Sequence, residues 1–82
     1  DMENNFKIYP NPSYSILEIK TDIPNELFYV AIADIYGNTI LKVTLINMEI
    51  TIQTAQFASG TYFITIHNDK QVIRTEKWIK TP

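Results

Sequence analysis

The sequence predicts an all-β domain: a two-layer antiparallel sandwich of about seven short strands. Three observations carry that expectation. Apolar and polar residues alternate with period two along most of the chain, and no window shows a helical stripe. Turn-forming residues recur between the alternating stretches at the short spacing of sandwiches. A length of 82 residues with 45% hydrophobic content is enough for one core and not for two.

The elements follow in order. Phe6-Lys7-Ile8 opens the first strand, and Tyr9-Pro10-Asn11-Pro12 ends it. Each proline fixes its own φ, removes an N–H donor and biases the residue before it toward extended backbone, so a ladder cannot run through. The segment reads as a stiff corner that aims the chain at Leu17 and Ile19, a crossing to the other sheet being one route, and the Asn11 amide suits bonds to nearby backbone. Leu17 and Ile19 against Glu18 and Lys20 make the second strand. Asp22-Ile23-Pro24-Asn25-Glu26 is a polar connection, and Val30 and Ile32 against Ala31 and Ala33 make the third strand.

Asp34-Ile35-Tyr36-Gly37-Asn38 is a turn in which the Asp34 carboxylate is expected to accept backbone N–H bonds. In Thr39 to Leu45, Leu41, Val43 and Leu45 keep register while Ile40 does not. Met48, Ile50 and Ile52 are expected inward on the next strand, with Glu49, Thr51 and Gln53 outward. Ala58-Ser59-Gly60 leads into a strand placing Tyr62, Ile64 and Ile66 inward and Thr61, Thr65 and His67 outward. Asn68-Asp69 is a tight hairpin turn. Gln71 to Ile79 has apolar residues on both faces around a polar middle, which calls for a bulge or a doubly covered edge.

Composition excludes several functions. The formal charge of −2 offers no basic field for nucleic acid. The longest apolar run, Leu27 to Ala33, is far shorter than the ~20 residues of a membrane-spanning helix. Cysteine is absent, so disulfides, thiolate metal sites and a cysteine nucleophile are excluded. Asp1-Met2-Glu3-Asn4-Asn5 is acidic and polar where a signal peptide is basic and then apolar, so an export address is expected elsewhere or in the domain itself.

No reaction is visible. His67 is the one histidine and is expected to be solvated, without a positioned nucleophile or orienting group. Ser13, Ser15 and Ser59 sit in turns, outside any nucleophile elbow. Asp22, Glu26, Asp34 and Glu49 are scattered, and the oxygen-rich run of a calcium loop is missing. Neither a metal nor a cofactor is expected. Trp78, Tyr14, Tyr29, Tyr36 and Phe63 fall where alternation does not clearly bury them; packing is their usual fate, and sugar stacking is the functional alternative. The last strand gathers Lys70, Arg74, Lys77 and Lys80. Such lysines protect a sheet edge, or they dock a partner.

Four stretches combine into a larger pattern. "FKIYPNP", "VAIADIYGN", "FASGTYFITI" and "TEKWIK", in this order and spacing, resemble the C-terminal sorting domain of type IX secretion, the Por secretion system. The match runs from Phe6 to Lys80. The resemblance implies an immunoglobulin-like sandwich and no enzyme. It also implies a label that directs an N-terminal passenger through the periplasm and across the outer membrane by the type IX machinery, to the cell surface or the medium. A sortase-like protease usually removes such labels, and the passenger is commonly joined to an anionic lipopolysaccharide. Residues 1–5 would then be a linker remnant from the passenger, 6–80 the sorting domain and 81–82 a tail.

The motif residues carried over are Pro10, Asn11 and Pro12, Asp34 and Gly37, Gly60 and Tyr62, and Lys77 and Lys80. Asp34, Gly37, Gly60 and Tyr62 are expected to hold the shape, with Gly37 and Gly60 supplying backbone angles that other residues resist. Recognition is expected from the proline corner and from a displayed basic end with Lys77 and Lys80. The chain departs from the family pattern in having Ala33 before the aspartate, Asn38 after the glycine, and Thr81-Pro82 beyond the lysine. Pairing of two copies through an edge strand is a further expectation. The rival reading is a carbohydrate-binding or adhesion sandwich of a secreted enzyme, which exposure of Trp78 together with Tyr29 or Tyr36 on one flat face would favour. A passive spacer is the third.

Overall fold

The computed structural model describes residues 2–82; Asp1, the first residue of the expected linker, lies outside them. A short 3-10 turn, Met2–Asn5, leads into seven strands: β1 Phe6–Tyr9, β2 Ile16–Thr21, β3 Phe28–Ala33, β4 Thr39–Leu45, β5 Glu49–Gln53, β6 Gly60–His67 and β7 Val72–Lys80. They form two antiparallel sheets, β1-β2-β5 and β4-β3-β6-β7.

The core lies between the sheets and follows from period-two alternation: one face of each strand carries branched aliphatics or aromatics that lose their water on closure. Leu17, Ile19, Ile32, Ile64, Ile66 and Trp78 are fully buried, and Phe6, Phe28, Val30, Leu45, Ile52 and Tyr62 nearly so. Each such side chain contributes about 1.5–3 kcal/mol relative to exposure. Phe6 stands edge-on to Phe28 across the sandwich, 4.9 Å between ring centres.

Two sequence expectations, for Met48 and Lys80, are corrected here, and the position of Trp78 is decided in favour of packing. Met48 is 44% exposed and takes no part in a strand: Asn47 and Met48, at φ 56° and 66°, form the two-residue turn between β4 and β5. Alternation extrapolated one residue too far, into a turn with no glycine to mark it. Trp78 is buried outright, because the β6–β7 register places it opposite Tyr62 on the inner face. Lys80, two residues on, points to the same side and is only 6% exposed. The irregularity of the last strand has one of its two expected sources, a bulge; its outward apolar residues Val72 and Ile79 stay exposed, so the strand is not doubly covered. The register shifts between Ile66 and His67, and the outer edge of β7 is covered over its final turn of ladder.

Candidate functional site

Strand directions bring the singled-out residues to one end of the sandwich. β1 runs toward this end and finishes at Tyr9, and β2 starts from it at Ile16. Gly60 opens β6 there opposite Lys80 at the close of β7, and Ala33 ends β3 beside Phe63. The proline corner, the Asp34 turn, Gly60 and the last basic residues are therefore neighbours in the fold although spread along the whole sequence.

The corner is more than a break in a strand. After the cis peptides Tyr9–Pro10 and Asn11–Pro12 the chain crosses from the three-stranded sheet to the edge of the four-stranded one. Asn11 Nδ2 donates to the Lys77 carbonyl at 2.9 Å, and its Oδ1 accepts from the Ile79 amide at 3.1 Å. The next pairing is backbone to backbone: Ser13 N–H to the Ile79 carbonyl at 2.9 Å, and Thr81 N–H to the Ser13 carbonyl at 2.8 Å. Ser13 thus makes a parallel bridge with Lys80. Its hydroxyl, wholly buried, donates to the Ile16 carbonyl.

A strand edge needs partners for every second backbone amide and carbonyl. The corner supplies them with one side chain and one residue of backbone. The sequence reading gave Asn11 a bond to nearby backbone; its partners lie 66 and 68 positions away. Ser13 was assigned only to a turn. Its one available signal was its place directly after the second proline, where a serine serves equally well in a plain turn.

The Asp34 turn is built as expected. Oδ1 accepts from the Tyr36 and Asn38 amides, each at 2.9 Å, and Oδ2 accepts from the Asn38 side chain. These donors, the Asn38 amide first, hold the carboxyl below its ordinary range against a smaller opposing effect of burial. Gly37, at φ 88°, takes a backbone angle that side chains resist. The turn presents Ile35 and Tyr36 to solvent, Tyr36 at 83% exposure. At Gly60, φ is 144°. Two residues on, the Tyr62 hydroxyl donates to the Ala58 carbonyl at 2.5 Å, tying the loop before β6 to the core. Tyr62, Phe57 and Trp78 pack as an aromatic cluster with ring centres 5.3–5.9 Å apart.

The basic end divides. Lys77 is exposed, whereas the Lys80 stem is buried and its Nζ donates to the Thr81 carbonyl at 2.8 Å. Lys80 is therefore not displayed as expected. Arg74 turns inward, donating to the Phe6 carbonyl at 2.6 Å and pairing with Glu76. His67 is half-buried against Tyr29, 5.3 Å between ring centres. No group of three or more metal-ligating side chains exists among the described residues, and no helix among them is long and apolar enough to cross a membrane.

With this geometry established, comparison with known families is decisive. The family model described as "Secretion system C-terminal sorting domain" matches residues 7–81. The chain belongs to this family. It is a sorting domain of type IX secretion, a family of export signals, and its passengers are destined for the cell surface or the medium. A search among curated proteins returned no match. Among solved structures, the sorting domain is similar to a DUF3244 family protein with an immunoglobulin-like β-sandwich fold from Bacteroides vulgatus ATCC 8482. The TM-score is 0.80 at 18% identity, over 94% of this chain and 84% of that one. That likeness establishes the immunoglobulin-like architecture of the sorting domain. The sugar-binding alternative loses its anchor, because Trp78 lies in the core and forms no flat face with Tyr29 or Tyr36.

Proposed function

We propose that this chain acts as a folded, non-enzymatic handle. In this reading it carries an N-terminal passenger from the periplasm through the type IX machinery, is afterwards removed by a sortase-like protease, and leaves the passenger on surface lipopolysaccharide or in the medium. Residues 6–80 are the sorting unit, 1–5 the remnant of a linker and 81–82 a tail. The proline corner (Pro10, Asn11, Pro12) and Lys77 are the recognised parts. Lys80 joins Asp34, Gly37, Gly60 and Tyr62 in maintaining the shape that presents them.

The observation that carries this reading is the Asn11 bridge to Lys77 and Ile79. It welds the first motif of the family to the last, so that a receptor gripping this end meets one rigid object. Rigidity favours recognition because little conformational freedom remains to be lost on docking.

The test is a reporter with a periplasmic signal, fused ahead of residues 1–82 and expressed in a bacterium that has the machinery. The reporter is expected outside the cell, with a mass showing loss of the domain. A reporter that stays in the periplasm contradicts the proposal. Deleting the chain from Lys77 onward is a poor control, since it also removes Trp78 from the core and unfolds the domain. Lys77→Glu combined with Asn11→Ala perturbs the site and spares the core.

A further inference from the structure

The outer surfaces of the two sheets differ in a way that the motif residues do not explain. On the three-stranded sheet, register sets Lys7 and Lys20 beside Glu49 and Tyr9 beside Glu18. Lys20 lies 3.8 Å from Glu49 and sits over the Tyr9 ring. That face compensates its own charge.

The four-stranded sheet does not. Its outward rows contain Lys42 beside Ala31, and Ala33 beside Phe63 and Lys77. Lys42, Phe63 and Lys77 are exposed, and neither lysine has an ion pair among the described residues. The one acid on these four strands, Glu76, is opposite Ile64 and so belongs to the inner face. Asp34 and Asp69 lie in the turns at opposite ends of the sheet; Asp69 reaches the margin of the outer face, where its carboxylate engages the Tyr29 hydroxyl and not a lysine. Nine acids and seven bases make up the chain, so without these two lysines the remainder carries a formal charge of −4. A cationic, partly apolar face thus stands out on an acidic molecule. Three strand spacings separate β4 from β7, which puts the two lysines roughly 15 Å apart.

We propose that this face, with Phe63 over the small Ala31–Ala33 row and Lys42 and Lys77 at its sides, is a docking surface. Its partner is a protein of the secretion machinery that presents an apolar patch flanked by carboxylates. The inference rests on the sorting function proposed above and names the surface and the chemistry of its receptor. Charge complementarity selects that occupant. A second copy stacked face to face brings lysines against lysines, and the one carboxylate at the margin, Asp69, is already engaged by Tyr29. An anionic lipid or polysaccharide surface is held by clusters of roughly four to eight basic groups and gains nothing from a central phenylalanine. Alanines at the centre keep the surface low around Phe63, so that the ring can enter a pocket as an anchor while the lysines steer approach.

The experiment compares export of the reporter fusion in four forms: unaltered; Lys42→Glu with Lys77→Glu; Lys42→Gln with Lys77→Gln; and Lys7→Glu, a reversal on the opposite sheet. Thermal melts confirm folding of each purified form. The glutamate pair is expected to slow export at least about tenfold, the glutamine pair less, and Lys7→Glu not at all. Unaltered export of either lysine pair overturns the proposal while leaving the sorting function standing. Equal slowing by Lys7→Glu overturns it too, since charge anywhere would then suffice. Failure of the unaltered fusion to leave the periplasm refutes the sorting function itself, and this inference with it. Sedimentation with anionic phospholipid vesicles is expected to show no binding; binding abolished by the lysine pair reassigns the face to an anionic surface and overturns the protein partner.

Discussion

Replacing Asn11 by alanine tests the clamp between the proline corner and the final strand. The substitution removes two hydrogen bonds, to the Lys77 carbonyl at 2.9 Å and from the Ile79 amide at 3.1 Å, and leaves the backbone bridge at Ser13 in place. A neutral hydrogen bond contributes about 0.5–1.5 kcal/mol net, and water reaches both groups at this exposed position, so the expected loss is about 1–2 kcal/mol. For a domain of this size that corresponds to a fall in Tm of roughly 5–15 °C. Trp78 is the one tryptophan, is fully buried and adjoins Ile79, so its fluorescence reports urea unfolding directly. With a urea m-value of about 1 kcal/mol/M the midpoint moves down by about 1–2 M. Amide exchange gives the local readout: the Ile79 N–H loses its acceptor, and its protection drops by more than that of Tyr62 or Ile64. An unchanged midpoint together with unchanged exchange at Ile79 refutes the clamp.

Further outcomes follow from the same geometry. Tyr62→Phe keeps the ring in the aromatic cluster and deletes only the hydroxyl bond to Ala58, so a loss of about 1 kcal/mol is expected in urea melts. Asp34→Ala lowers stability at neutral pH. Because the folded carboxyl is held below its unfolded value, the stabilisation is complete above that value and fades as pH falls through the folded one. The gap in Tm between the two proteins is therefore expected to close below about pH 4; a gap that persists in acid refutes the assignment. Two lysines of one strand should behave oppositely: Lys77→Glu changes stability by less than about 0.5 kcal/mol, whereas Lys80→Glu, which forces a carboxylate into a buried site, destabilises by about 3 kcal/mol or more.

Alternation alone determined most of the architecture. Leu17 and Ile19, Val30 and Ile32, and Tyr62, Ile64 and Ile66 are inward as the sequence requires, because a strand has two faces and water sorts them. The Asp34 turn was equally legible, since its bonds are local and a short carboxylate ahead of a glycine has few other uses. The ordered motifs pointed to the family that the comparison established.

Only the tertiary structure decided the rest, and in each case the missing information was the identity of a distant neighbour. Lys80 read as part of a displayed end, and Trp78 as a residue that alternation alone did not bury, until the register against β6 turned both inward. Asn11 read as a local cap until the crossing between sheets laid it along β7. The unpaired lysines of the outer sheet face are unremarkable in sequence, because their isolation depends on which strands lie side by side. Period and turn chemistry act over a few residues and are written in the chain, whereas register and sheet order come from closing loops across nearly its whole length.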